Sequence, residues 1–63
     1  MIIDNQGTIV LFCPENDLES EWLITNVQAE EYQWMGRTLS VDHRMADDLF
    51  QVVAEAGLMI EQR

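Results

Sequence analysis

Lysine is absent, cysteine, histidine and proline occur once each, and three arginines stand against twelve acidic residues in a chain of 63. Each shortage excludes something. A single cysteine, Cys13, leaves no disulfide within the chain, and Cys13 with His43 supplies only two of the four Cys or His ligands that a structural zinc site takes. No metal or cofactor is expected. Without clustered Lys and Arg, direct binding of DNA or RNA through phosphates is not expected either, and the formal net charge of −9 also repels anionic lipid. No apolar run approaches the roughly 18 residues of a membrane span. The opening MIIDNQG lacks the basic region and long apolar stretch of a signal peptide, so a cytosolic location is expected. There is no glycine-rich phosphate loop and no serine elbow, and an enzyme is not expected.

What is present is enough apolar material to fold. Hydrophobic residues make up 48% of the chain, too many for a disordered acidic tail. The length predicts a single small domain over residues 1–63. Below roughly 70–80 residues one core seldom supplies more than about 3–5 kcal/mol, and small domains add disulfides, a metal or a second subunit. With the first two excluded, self-association is the remaining remedy, and a homodimer is the favoured form.

TIVLFC, residues 8–13, is a short apolar run rich in β-branched and aromatic residues, ended by Pro14, and predicts a buried strand. The leading MII can pair back on it as a hairpin arm through a turn over Asp4 to Gly7. Asn16 followed three residues later by Glu19 predicts a helix start with a capping box. Leu18, Trp22, Leu23, Ile24 and Val27 spread over more than half of that helix's circumference, so it should touch core on one side and something else on another.

In EYQWMGRTLSVD, Gly36 and Arg37 suit a two-residue turn with glycine first, the type II′ hairpin. The register then follows: Trp34 faces Leu39 and Met35 faces Thr38, which gathers Tyr32, Trp34, Leu39 and Val41 on one face. Asp42 is a good N-cap for a second helix, whose apolar stripe is Met45, Leu49, Val52, Val53 and Ala56, with Gly57 at its C-terminal cap. Leu58 to Ile60 predict a last strand.

The order β-α-β-β-α-β predicts an α+β fold of the miniature split βαβ, ferredoxin-like kind, with both helices on one face of an antiparallel sheet. Strand 8–13 is apolar on both sides and belongs in the centre. The helix-free face then exposes one alternating pair, such as Ile9 and Leu11, to a partner or a dimer mate.

Cys13 stands just before a helix start, where a thiol can be activated, but Glu15 and Asp17 beside it oppose a thiolate and favour an inert thiol. His43 reads as a solvated residue near the start of an acidic helix. It could act with Cys13 only if the fold brought them together. Adjacent acids such as Asp47 with Asp48 or Glu30 with Glu31 have no metal-loop spacing and read as solvated surface. Trp34 is expected in the core and Trp22 at an interface. Arg44, near the positive end of a helix dipole, can be offset by Asp47 or Asp48. Alternatively Arg37 and Arg44 cross to Glu19 or Glu21 of a second copy. The interface candidates are thus Trp22, Glu19, Glu21, Arg37, Arg44, Ile9 and Leu11.

The ordered set TIVLFCP, a helix with EW, QWMGRTLSVDHR and a helix ending AGLMI resembles a group of short acidic proteins carried by phages and prophages. Its marks are Pro14, Trp22, Trp34 with Gly36, Val41, Arg44, and Gly57 with Leu58. The resemblance implies a genomic setting and carries no catalytic residues. The expected function is a small acidic interaction protein that binds a host or phage protein, with a basic surface, by presenting carboxylates in place of phosphates. The alternative is a homodimeric structural or accessory protein.

Overall fold

Alternation in the second strand explains why the sheet is covered on one side only. Val10 and Phe12 are buried and point to one face, while Ile9, Leu11 and Cys13 point to the other and stay partly exposed. In the computed structural model, which describes residues 1–63, β1 (Ile2–Asn5), β2 (Ile9–Cys13), β3 (Trp34–Met35), β4 (Thr38–Asp42) and β5 (Glu61–Gln62) form one sheet. Its order is β3-β4-β2-β1-β5, and β2 is central as expected. Helices α1 (Asp17–Asn26) and α2 (His43–Glu55) complete the α+β fold. Leu23 of α1 and Ala46 and Val53 of α2 join Met1, Ile3, Val10, Phe12, Leu39 and Val41 in a single core. Both helices therefore lie on the face that carries Val10 and Phe12.

The expected four-stranded antiparallel sheet is corrected in two ways. Residues 2–5 form a full strand between β2 and the C-terminal strand, and β5 pairs with β1 in parallel, Ile2 opposite Glu61 and Ile3 opposite Gln62, so the sheet has five strands and is mixed. The physical cause is the β1–β2 turn. Gly7 has φ +90° and Thr8 beside it does not have a positive φ, so the two form a tight turn closed by the Gln6 N–H donating to the Ile9 carbonyl at 2.8 Å. The turn thus falls at the end of the stretch Asp4 to Gly7 and not across it, and Asp4 and Asn5 belong to β1, which occupies the place beside β2. The last strand moves accordingly: residues 58–60 run up to the β1 edge, and pairing begins only at Glu61.

The second hairpin forms in the expected register, Trp34 opposite Leu39 and Met35 opposite Thr38. Gly36 has φ +63° and Arg37 does not, the pattern of a type II′ turn. Tyr32, however, is 83% exposed and does not share the inner face. Glu30 and Gln33 cap a 3-10 turn over Glu31–Gln33, which delays the start of the strand to Trp34 and turns Tyr32 out. Trp34, on an edge strand, is half-buried, packed against the core without being enclosed by it.

Each helix begins as expected. Asn16 Oδ1 accepts from the Glu19 N–H at 2.9 Å, and Asp42 Oδ1 accepts from the Arg44 N–H at 2.9 Å. The predicted α2 stripe is rotated. Ala46 and Val53 are buried and Leu49 and Phe50 pack against the core, whereas Met45 is 67% and Val52 46% exposed and Ala56 is exposed. Phe50 and Ala46 fill the space above Val10 and Phe12, and the helix turns to bury them. No helix is long and apolar enough to cross a membrane.

Candidate interaction surface

Every cation of the chain is already engaged by one of its own carboxylates. Arg37 at the β3–β4 turn donates to Asp17 Oδ1 at 2.6 Å, at the start of α1. Arg44 does not reach Asp47 or Asp48. It bends back to the N-cap, Nε to Asp42 Oδ1 at 3.1 Å and Nη2 to Asp42 Oδ2 at 3.3 Å. These hydrogen bonds from Arg44, first its side chain and then its backbone N–H, hold the Asp42 carboxyl down at about 2. Arg63 donates to Glu61 Oε2 at 3.2 Å. Arg37 and Arg44 thus each have a partner within the chain, in pairs that lie at the surface.

The fourth cation is the Met1 ammonium, on a residue whose side chain is fully buried. It lies 2.8 Å from Glu19 Oε1 and 3.4 Å from Glu15 Oε1, and donates to the Met59 carbonyl at 2.8 Å. Glu19 Oε1 also accepts the Glu15 N–H at 3.0 Å, one residue before the N-cap that a capping box would reach. Burial acts most strongly on both groups and opposes their charges. Their mutual hydrogen bond, their opposite charges and the contacts with Glu15 together outweigh it, so the ammonium is raised above 8.0 and Glu19 is lowered below 4.5. Glu19, a candidate for an interface, is instead 7% exposed and internal. Nothing in its i+3 spacing from Asn16 signals this partner, which comes from the far end of β1.

Of twelve acids, five are thus committed: Glu15, Asp17, Glu19, Asp42 and Glu61. The remaining seven, Asp4, Glu21, Glu30, Glu31, Asp47, Asp48 and Glu55, have no cationic partner. Six of these are exposed and lie on the helices or the loop between α1 and β3. Asp4 faces the other way.

Two apolar surfaces accompany the acids. The helix-free face of the sheet carries Ile2, Ile9, Leu11, Cys13 and Met35, of which Ile9 is 38% and Met35 57% exposed. The helix side carries a groove of about 240 Å³ between α2 and residues 27–29, with Val41 at its base. Leu18 and Ile24 stand out from α1, and Trp22, half-buried, lines a shallower depression beside Leu18 and Glu21. The groove residues Met45 and Val52 were absent from the candidates. A signal existed: the apolar positions of α2 cover an arc of roughly 160° at about 100° per residue, wider than the roughly 100° one contact face requires.

The remaining candidates for chemistry do not meet. The His43 N–H donates to the Thr8 carbonyl at one end of β2, and Cys13 ends that strand about 16 Å away at roughly 3.3 Å per residue. They also fall on different sides of the sheet, Cys13 opposite the core face and His43 beside Asp47 at a cleft of about 400 Å³ above β1. Such a cleft is of small-molecule size and was not expected. Its floor of Ile3, Val10 and Phe12 is at most 5% exposed, which leaves a rim of Asn5, His43, Asp47, Gln62 and Arg63. No three His, Cys, Asp or Glu side chains come together as metal ligands. Compared with models of protein families, with curated proteins and with solved structures, the chain matches none.

Proposed function

We propose that this chain is an acidic interaction module that binds a cationic protein surface. The observation that carries the reading is the distribution of charge. All four cationic groups are bound by carboxylates of the same chain, and seven further carboxylates have no partner. A surface of one sign raises the encounter rate with the opposite sign and rejects its own. The resemblance to phage and prophage proteins supplies a setting, the bacterial cytosol. There a host or phage protein that binds nucleic acid offers the complementary surface, and carboxylates take the place of phosphates. With β1 set aside, the other four strands follow the order β3-β4-β2-β5. We read the fold as a split βαβ with one strand inserted, a likeness of shape that carries no function.

The test is binding to a basic nucleic-acid-binding protein as salt rises. Screening shortens from about 10 Å at 0.1 M to about 3 Å at 1 M, so affinity should fall steeply over that range. Affinity independent of salt, or no binding at low salt to any basic protein tried, refutes the reading. A second reading rests on the open sheet face: two copies joined through Ile9, Leu11 and Met35 form a homodimer. Mass measured in solution from low to high concentration separates the two.

A further inference from the structure

The groove beside α2 lies between that helix and a segment fixed by polar contacts just after it. The chain leaves α1 in extended conformation at Val27, φ −121° and ψ 123°, and is extended again at Glu30, φ −75° and ψ 155°. The 3-10 turn then pins this segment: the Glu30 N–H donates to Gln33 Oε1 at 2.9 Å, and Gln33 Nε2 donates across to the Ser40 carbonyl of β4 at 3.2 Å. One wall is therefore Val27 and Ala29, the other Met45, Leu49 and Val52, and the base is Val41, itself only 7% exposed. At about 240 Å³ the groove is smaller than the roughly 300–1,000 Å³ of small-molecule sites. It suits one or two protruding side chains. Methionine in the wall lets it adapt to their shape.

Charge identifies what brings those side chains. Asp48 lines the groove, and Met45, Asp48, Val52 and Glu55 recur along one stripe of α2 at spacings of three and four. Glu30 and Glu31 continue directly from the Ala29 wall, and no unpaired cation lies anywhere on the chain. We infer that this groove is the docking site for a cationic amphipathic helix of the partner, whose apolar anchor enters between Met45, Leu49 and Val52 while its Arg and Lys meet Asp48, Glu55 and Glu30. The inference rests on the proposed function and adds to it a place and a partner shape. A second copy of this chain, which also carries a net charge of −9, is disfavoured as occupant by repulsion.

The test uses the labelled full chain and two synthetic peptides of about sixteen residues, long enough to hold a helix. One is a Leu and Lys amphipathic helix; the other has the same composition with its leucines scattered. The amphipathic peptide should shift backbone NMR signals of Val27, Ala29, Met45, Leu49 and Val52 and bind about tenfold more tightly than the scattered one. Met45→Ser with Val52→Ser, both at exposed positions, should remove that advantage. Leu18→Ser with Ile24→Ser on α1 should leave it intact. If both peptides bind equally and the α2 variant changes nothing, or if the shifts fall on α1 or the open sheet face, the groove is refuted and the acidic reading survives. If neither peptide binds at low salt, both fall.

Discussion

Replacing Glu19 by Gln tests the internal charge pair directly. The carboxylate is 10% exposed and holds both the Met1 ammonium at 2.8 Å and the Glu15 N–H at 3.0 Å. Glutamine retains one acceptor oxygen but turns an amide donor toward a buried cation. Removing one member of a buried pair costs about 3–5 kcal/mol because the other charge is stranded. Here Glu15, at 3.4 Å, keeps part of the neutralisation, which places the loss near the lower end, about 3 kcal/mol. A domain of this size has about 3–5 kcal/mol in all, so the variant should be barely folded at 25 °C, with its thermal midpoint lower by about 12–24 °C. Urea and thermal unfolding followed by circular dichroism measure both. Glu15→Gln is the control: its side chain is 52% exposed, and the loss should stay under about 1 kcal/mol.

The pair also sets the dependence on pH. The ammonium is raised when folded, so its contribution is complete below 8.0 and is lost as pH climbs through the higher folded value. Glu19 is lowered when folded, so its contribution is complete above 4.5 and is lost as pH falls through the lower folded value. Stability should peak between these limits, and with no lysine in the chain the alkaline limb has few other contributors. Equal urea midpoints for Glu19→Gln and the natural chain, or stability that rises from pH 8 to 10, refute the account.

Leu23→Ala, at a site with no exposure, should cost about 2–5 kcal/mol, whereas Leu18→Ala, 74% exposed one turn earlier, should stay within about 0.5 kcal/mol by the same unfolding assay. Gly36→Ala should cost about 1–2 kcal/mol through φ +63° alone, since no atom stands within 4 Å of the added Cβ; a smaller loss in urea unfolding shows that the turn has changed type. The Asp42 carboxyl should titrate at about 2 by NMR, and its ion pair with Arg44 should persist as pH falls through 3.8, to be lost only near that lower value. Arg44→Gln should return the midpoint toward 3.8.

Local signals were sufficient for most of the elements. Both N-caps, the register of the second hairpin and the central place of β2 follow from side-chain chemistry within a few residues of where it acts. The departures share a cause. Tyr32 turns outward because Glu30 and Gln33 cap one another, a pairing that competes with strand extension. The α2 stripe rotates because Phe50 fills more space over β2 than Met45 or Val52 could, a matter of volume that periodicity does not weigh. The partners that Glu19 and Arg37 find within the chain, Met1 and Asp17, depend on where strands and turns bring them, whereas Asp42 is a neighbour of Arg44 two residues away.

The amino-acid sequence alone determined the charge, the absence of an internal disulfide and of a four-ligand zinc set, and the local turns and caps, because these depend on composition or on neighbours three or four residues away. Only the tertiary structure decided that β1 enters the sheet, that Glu19 is internal, that Arg37 reaches Asp17, and that α2 keeps part of its apolar arc for a groove. Those outcomes turn on which surfaces compete successfully for a small core, and competition over long range leaves no mark on a short stretch of chain.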